Sequence, residues 1–416
     1  MTIVSLGDKK NNSSLIWKSL VFISFIYVSN FFLLLTFQQT FIILLPFFLY
    51  IFLKIRKEEV IDRDFMRGIY GLTVIHFIFF SYSLLFPDRY SFLYNTRILL
   101  GLTIAVISFK ICSRDIKRSD NINYELIPCN LLFVLNIFNF IIFHLVKLFN
   151  FAPLFILQTG SIQIRKIYHF IVTAPGELDR FTSFFGEPSS FIFTMVLVSL
   201  VFFKNNQDRK GLINLVMSYV CFSGSFFLVL PILVIYMFYQ KKNKTFKISS
   251  YFFISFVIFS LIFLIDINQL IINRLLFQEI NNIGGLFKIM QRYYNLQTGE
   301  FSISRLRDLN LDVYSIYGRN IRGVEIINFN NEFFFLLAKY GIAFLPSIFI
   351  IINFHLKLIF KKCFTVETKF ISIFLFLLIF VKDFWIANPL IWTILIPLII
   401  EGYYSDKKIH PNLEII

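Results

Sequence analysis

Apolar runs of about 20 residues recur from one end of this chain to the other, and a helix needs that length to cross about 30 Å of hydrocarbon. The chain of 416 residues is 57% hydrophobic and contains 58 phenylalanines, more apolar surface than one soluble core could bury. The pattern therefore predicts an all-α polytopic integral membrane protein with about 12 transmembrane helices in a single membrane domain, residues 1–416.

The individual spans follow from the apolar runs between polar clusters. They are predicted at residues 20–37, 41–52, 68–86, 96–111, 126–149, 188–203, 251–265, 332–354, 370–385 and 389–404. Residues 212–240 are too long for one span, so the interpretation divides them into two short helices at residues 223–225. Two long loops remain, 150–187 and 266–331, and we expect function there because loops of this length usually carry it.

The distribution of basic residues predicts the orientation of these spans. Most of the 40 lysines and arginines fall in the N-terminal segment, the C-terminal tail and alternate short loops, so both termini are predicted to be cytoplasmic. The two long loops then lie on the periplasmic side. The net charge of +15 is mainly this topology signal, and no basic-aromatic array favours nucleic-acid binding.

Charged residues at the start of the sixth predicted span are the strongest candidates for chemistry. Arg180 and Glu187 flank a short segment that ends in Gly186, and Pro188 then suits the first turn of a helix. Arginine binds phosphate well through bidentate donors and a fixed charge. Further arginines in the loops are candidates for the same anionic ligand: Arg165, Arg305, Arg307 and Arg319. A structural alternative is that Glu187 caps the helix and pairs with Arg180.

Two segments resemble a known family. The motif Arg180-x-x-x-Phe-Phe-Gly186-Glu187-Pro188-Ser189 resembles the arginine, glycine and Glu-Pro motif of Wzy-type O-antigen polymerases, within the O-antigen polymerase and ligase group. The segment from Asn331 to Gly341 is similar to the element that opens the helix after that family's second large loop. Ligases of the group commonly have histidine before this asparagine, and this chain has Asn330, which favours the polymerase.

The resemblance implies a metal-independent membrane glycosyltransferase of GT-C-like type, without a cofactor, in the bacterial inner membrane. It would polymerise oligosaccharide repeat units carried on undecaprenyl diphosphate, with lipid-linked donor and acceptor, membrane lipids and a chain-length regulator protein as partners. In this reading Glu187 and Arg180 are catalytic, with Glu187 as general base. The residues that would bind the substrate or its diphosphate are Arg165, Arg305, Arg307, Arg319 and Asn331.

Other readings remain open. A flippase or transporter of lipid-linked oligosaccharides can also have about twelve spans, although no internal repeat typical of transporters is evident. An O-antigen ligase would share the chemistry and differ in its acceptor. Within the spans, His76 is expected to bond a neighbouring helix, and Lys382 and Asp383 could line the substrate cavity. The asparagines Asn130, Asn136 and Asn139 are expected to make interhelical hydrogen bonds.

Overall fold

The computed structural model describes residues 15–26, 63–85, 89–117, 123–153, 155–159, 163–168, 171–172, 181–183, 185, 188–220, 230–236, 294–295, 300–301, 336, 340–381 and 385–409. This part of the chain is nearly all helical. The helices are α1 (Leu15–Ile26), α2 (Arg63–Leu85), α3 (Arg89–Lys117), α4 (Leu126–Leu148), α5 (Pro188–Lys204), α6 (Asp208–Val220), α7 (230–236), α8 (Leu345–Phe360), α9 (Val366–Val381) and α10 (Pro389–Ile409).

Among the described residues, three helices are long and apolar enough to cross a membrane. They cover Phe65–Leu85, Tyr94–Ser113 and Leu126–Leu148. Shorter apolar helices lie at Leu15–Ile26, Ser190–Lys204, Leu345–Phe360 and Pro389–Tyr404. By length and composition these helices indicate a membrane protein, as the sequence predicts.

Several predicted helix starts agree with the structure. Helices α4, α5 and α10 begin at Leu126, Pro188 and Pro389, where a polar residue or a proline precedes an apolar run. Helices α2 and α3 are longer than predicted, because the polar residues that flank their apolar runs continue the helix. The predicted spans 41–52 and 251–265 and the predicted break at 223–225 lie outside the described residues.

Two predicted spans need correction. The prediction 332–354 ends too early, since a 3-10 turn at Gly341–Phe344 precedes α8, which continues to Phe360 with Pro346 in its first turn. The prediction 370–385 is shifted, because α9 starts at Val366 and ends at Val381. A separate 3-10 turn, Trp385–Ala387, follows before α10 begins.

Short antiparallel strands lie in both predicted loops, so the expectation of an all-α chain needs this addition. In the first loop, β1 (Phe155–Thr159) pairs with β2 (Gln163–Tyr168), which pairs with β3 (Ile171–Val172). In the second loop, β4 (Tyr294–Asn295) pairs with β5 (Glu300–Phe301). Both loops therefore contain ordered pairing of their own.

Neighbouring helices form a closed circuit. Helix α2 packs against α3, α3 against α10, α10 against α4, α4 against α5, α5 against α9, α9 against α8, and α8 against α2. Helices α5 and α10 form the centre of the core and are buried without interruption along residues 191–203 and 389–400. At Gly101 of α3 an added Cβ would collide with the backbone carbonyl of Ile386, so the turn before α10 lies directly against the middle of α3.

One face of α4 is apolar and exposed. Its residues follow the spacing of a helix surface: Val134, Phe138, Ile141, Leu145 and Leu148. Large apolar side chains are similarly exposed on α2 and α8, among them Val74, Phe77, Ile78 and Phe349. Contiguous apolar surface of this kind is unusual on a soluble protein and suits contact with lipid.

The two ends of the helix circuit differ in what they contain. Lys204 at the end of α5 contacts Glu125 at the start of α4 and Glu401 near the end of α10. We call this the tail end, and it also holds the end of α8, since Lys361 donates to Tyr403. The opposite end, where α4 ends and α5 begins, is called the loop end. The first predicted long loop leaves from this end and returns to it, and α8, which follows the second predicted loop, begins at this end.

Candidate functional site

The chain returns from its first long loop into a tight turn at the loop end. Phe181, Thr182, Ser183 and Phe185 are all buried, and the backbone N–H of Phe185 donates to the carbonyl of Thr182 at 3.0 Å. Ser183 adopts a left-handed backbone conformation with φ of 52°. The described residues between Arg180 and Pro188 are therefore packed into the helix bundle and are not exposed to solvent.

Phenylalanine rings hold this turn in place. The Phe181 ring lies 5.4 Å from Phe140 and 5.4 Å from Phe143 on α4, and 5.3 Å from Phe191 on α5, measured between centroids. Phe185 contacts Phe191 as well. Edge-to-face and tilted aromatic contacts of this kind contribute about 0.5–1.5 kcal/mol each beyond the area that they bury. The aromatic cluster thus joins the turn to both helices that border it.

Hydrogen bonds of asparagines on α4 supplement this aromatic packing. The Nδ2 group of Asn139 on α4 donates to the hydroxyl of Ser183 at 2.9 Å. One turn earlier, Nδ2 of Asn136 donates to the sulfur of Met195 on α5, and Asn130 accepts from the ammonium of Lys210 on α6. The expected interhelical hydrogen bonds are confirmed for Asn130 and Asn136, whereas Asn139 contacts the turn and not a second helix. They also fix the height of the turn along α4.

The two predicted catalytic residues border this anchored segment. Arg180 directly precedes the buried Phe181, and Glu187 directly precedes Pro188, the first residue of α5. Arg180 and Glu187 themselves lie outside the described residues.

Basic side chains of α4 lie at the same end. The ammonium of Lys147 is 4.6 Å from the centroid of Phe143, the ring that also contacts Phe181. His144 contacts Phe140 and Phe143 through its ring, and both His144 and Lys147 are exposed. A cation beside an aromatic ring is partly held in place. The loop end therefore has positive charge on α4 next to the aromatic rings that contact Phe181.

The remaining predicted ligand-binding residues are spread over the two loops. Arg165 lies in β2, opposite Leu157 of β1 in the strand register. Arg305, Arg307, Arg319 and Asn331 lie outside the described residues, as do Lys382 and Asp383. The structure therefore describes residues around the first motif. The binding roles of the second-loop residues stay predictions.

A hydrogen bond to Tyr340 anchors the chain that returns from the second loop. Asn95 on α3 donates through Nδ2 to the hydroxyl of Tyr340 at 2.7 Å, and its Oδ1 lies 3.1 Å from Nδ1 of His76 on α2. The Tyr340 ring stacks on Phe79 with centroids 3.9 Å apart. The hydrogen bond of His76 to a neighbouring helix is confirmed. Tyr340 belongs to the segment that starts at Asn331, so the returning chains of both loops are anchored at the loop end.

The charged cluster at the tail end was not predicted from the sequence. The ammonium of Lys204 lies 3.1 Å from the carboxylate of Glu125, and their side chains are only 8% and 3% exposed. Glu401 reaches the same ammonium, and Nδ2 of Asn205 donates to Glu125 at 3.2 Å. The one available signal was that Glu125 and Lys204 border predicted apolar runs and Glu401 lies near the end of the run 389–404, all on the predicted cytoplasmic side. Its buried pairing indicates a structural role.

No protein-family model, no curated protein and no solved structure matches this chain. The described residues contain no group of three or more histidine, cysteine, aspartate or glutamate side chains that could hold a metal ion.

Proposed function

We propose that this protein is an integral membrane glycosyltransferase that polymerises oligosaccharide repeat units linked to undecaprenyl diphosphate. It acts at the periplasmic face of a bacterial inner membrane, with both termini in the cytoplasm, and builds O-antigen or a related surface polysaccharide. The observation that carries the proposal is the buried turn 181–185, since it fixes the segment between Arg180 and Glu187 against the ends of two apolar helices.

In the proposed reaction a sugar hydroxyl of one lipid-linked unit attacks the anomeric carbon of the other. The new glycosidic C–O bond forms as the anomeric bond to the diphosphate breaks, and the electron pair leaves with undecaprenyl diphosphate. Glu187 accepts the hydroxyl proton. A positioned general base of this type contributes about 10²–10⁴-fold to the rate.

Positive charge at the loop end supports the leaving group in this proposal. Negative charge grows on the diphosphate as the bond breaks, and fixed cations stabilise it most where water is partly excluded. The sequence motif provides one cation, Arg180. The ammonium of Lys147 on α4 is a second one. Arg165, Arg305, Arg307 and Arg319 of the loops would bind the diphosphates, and Asn331 would orient the substrate.

The anchoring of both loops at one end supports a single site between them. The first loop returns at Phe181 and the second returns at Tyr340, and each of these side chains is buried against helices that begin or end at the loop end. An enzyme that joins two lipid-linked substrates needs both to reach one place from the plane of the membrane. Two loops rooted at the same end meet that need.

Polymer length in a polymerase-deficient host tests the proposal, with the genes for the cognate repeat unit supplied. Wild type should restore a ladder of glycan lengths, and Arg180→Ala and Glu187→Gln at matched membrane levels should leave only single-repeat product. Arg209→Ala and Glu367→Gln remove the same charges at the starts of α6 and α9, at the tail end, and should keep the ladder. A ladder that survives both loop-end variants would overturn the site.

The place where glycan accumulates separates the polymerase from its rivals. Loss of a polymerase leaves single repeats attached to the lipid A core, because translocation and ligation still operate. Loss of a flippase leaves no repeat unit on the periplasmic side, and loss of a ligase leaves finished polymer on undecaprenyl diphosphate. Either of these last two patterns in the Glu187→Gln strain would replace the proposed activity.

A further inference from the structure

The length of α4 sets a scale for depth in the membrane. The helix has 23 residues, from Leu126 to Leu148, and is therefore about 33 Å long. That length matches the hydrocarbon core of a bilayer, about 30 Å. Its exposed apolar face starts at Val134 and continues to Leu148, so the whole upper part of the helix suits contact with lipid. The end of α4 thus marks the boundary of the hydrocarbon at the loop end.

The buried turn before α5 lies well inside this boundary. Ser183 accepts its hydrogen bond from Asn139, nine residues before Leu148. The Phe181 ring contacts Phe143, five residues before Leu148. At 1.5 Å per residue these positions are about 8–13 Å below the end of α4. Side chains of a helix tilt towards its N-terminus, which is at the tail end here, so the contacted groups lie no nearer to the boundary than that.

Helix α10 begins at a similar depth. The carbonyl of Ile386 lies so close to Gly101 of α3 that an added Cβ would collide with it. Gly101 is seven residues after Tyr94, where the apolar part of α3 begins, which corresponds to about 10 Å of helix. Asn388 then caps α10, because its Oδ1 accepts from the backbone N–H of Leu390 at 3.0 Å. Both central helices of the bundle therefore start about 10 Å inside the membrane.

The lengths of these two helices agree with this depth. Their apolar parts, Ser190–Lys204 and Pro389–Tyr404, are about 22–24 Å long, shorter than the hydrocarbon core. Lys204 contacts Glu125, which directly precedes α4, and it also contacts Glu401 of α10. The three helices are thus level with one another at the tail end. The difference in length of about 10 Å consequently lies at the loop end.

A break in helical structure at this depth needs partners within the protein, because hydrocarbon offers no hydrogen bonds. The described residues of the turn meet this requirement, since they are at most 2% exposed: Phe181, Thr182, Ser183 and Phe185. Non-helical backbone is tolerated inside a membrane only where protein buries it or where it lines a water-filled cavity. In transporters, interrupted helices of this kind form the binding sites of charged substrates.

We propose that the motif that contains this turn acts inside the hydrocarbon layer, about 10 Å below its periplasmic boundary, and takes its diphosphate from a lipid carrier in the plane of the membrane. The second part rests on the proposed function. Lipid phosphates lie outside the hydrocarbon core, so the diphosphate of the substrate has to move inward from the headgroup level before it reacts. At that depth the lower dielectric constant strengthens its interaction with fixed cations.

Tryptophan quenching by brominated lipids tests the depth and needs no enzymatic activity. Phe138→Trp and Leu148→Trp place an indole on the exposed face of α4, at the level of the turn and at the boundary. The full chain is reconstituted in phosphatidylcholine vesicles that have bromine near the start, the middle or the end of the acyl chains. The 3 native tryptophans are 0–1% exposed, so the wild-type protein supplies the baseline to be subtracted.

We expect Phe138→Trp to be quenched most by bromine deep in the bilayer, and Leu148→Trp most by bromine near the headgroups. The two depths should differ by about 15 Å, the rise of ten residues of helix. Ile141→Trp, also on the exposed face, should give an intermediate depth and replaces Phe138→Trp if that variant misfolds. Equal depths for the reporters, or strongest quenching of Phe138→Trp by the shallow bromine, would overturn the placement.

Product inhibition tests the source of the diphosphate. In vesicles where the wild-type protein lengthens its cognate lipid-linked repeat units, added undecaprenyl diphosphate should inhibit, and inorganic pyrophosphate at the same concentration should not. Equal inhibition by both would show that the site takes its anion from water, which contradicts the second part of the proposal. If no lengthening occurs with the cognate substrate, the proposed function fails, and the quenching measurement still decides the depth.

Discussion

Asn95 of α3 and Tyr340, which lie 245 residues apart in the chain, are joined by a 2.7 Å hydrogen bond inside the helix bundle. The same asparagine contacts His76, and the ring of Tyr340 stacks on Phe79. The chain that returns from the second loop is thereby held to two helices of the N-terminal half. Both the hydroxyl and the ring of Tyr340 contribute, and the ring also contacts Tyr82.

Tyr340→Phe should lower the free energy of unfolding by about 0.6–1.7 kcal/mol, the range of interhelical hydrogen bonds in membranes. The ring and its stacking on Phe79 stay, so the loss reports on the hydroxyl that Asn95 contacts. Thermal or denaturant unfolding in detergent measures it. Tyr70→Phe removes an exposed hydroxyl from α2 and should change nothing. Equal losses in the two variants would contradict this assignment.

Phe181→Ala should reduce polymer length although it removes no charge. The side chain is 1% exposed among three other phenylalanines, and truncating such a residue costs about 3–5 kcal/mol. We expect the turn to loosen, and with it the segment that contains the proposed catalytic residues, so single-repeat product should increase at matched membrane levels. Phe138→Ala on the exposed face of α4 is the matched control and should keep both stability and the ladder. A normal ladder in Phe181→Ala would separate the turn from the activity.

Gly101→Ala should destabilise the protein, and Gly68→Ala should not. An added Cβ at Gly101 meets the backbone carbonyl of Ile386, which cannot rotate away, and overpacking of this kind costs about 1–3 kcal/mol. At Gly68 the Cβ would lie 3.6 Å from a methyl group of Ile350, an ordinary contact. The difference in melting temperature between the two variants measures the effect. Equal melting temperatures would show that the turn before α10 can move.

Lys204→Met should be far more destabilising than Glu401→Gln. The methionine leaves the buried Glu125 without its main counter-charge, which typically costs about 3–5 kcal/mol. The side chain of Glu401 is 51% exposed, and solvated partners of this kind contribute about 0–1 kcal/mol. Adding Glu125→Gln to Lys204→Met should recover part of the loss, because the buried charge is then removed. No recovery in a thermal unfolding series would point to packing of the lysine stem instead.

Local sequence patterns predicted several elements well because their signals are local. Helix α5 begins at Pro188, because proline fits the first helical turn and an apolar run follows it. Helix α4 begins at Leu126, where an apolar run starts. The end of α8 was predicted too early because His355 and Lys357 interrupt the apolar run inside the helix. The end of α9 was predicted too late because apolar residues resume after Lys382 and Asp383. Hydrophobicity marks that a segment is buried in lipid or protein, and it does not mark where the backbone reverses.

Pairings between distant residues could not be predicted from one sequence. Ser183 has no motif that identifies it as the partner of Asn139, and Lys204 matches Glu125 no better than it matches other carboxylates. His355 shows the same difficulty, because its hydrogen bond to Ser372 at 2.9 Å appears only once α8 and α9 are packed together. The candidate site was recognisable from Arg180 and Glu187, whereas the aromatic turn that supports them was not.

The three charges at the tail end are also synthesised far apart in time. Lys204 follows Glu125 by 79 residues and Glu401 follows Lys204 by 197. At about 5–20 residues per second, the ribosome adds Glu401 roughly 10–40 s after it adds Lys204. Until then the space that α10 occupies in the bundle is unfilled, and Lys204 borders it. Helix α10 is therefore synthesised after every helix that it packs against, and Lys204 can contact Glu401 only once α10 is in place.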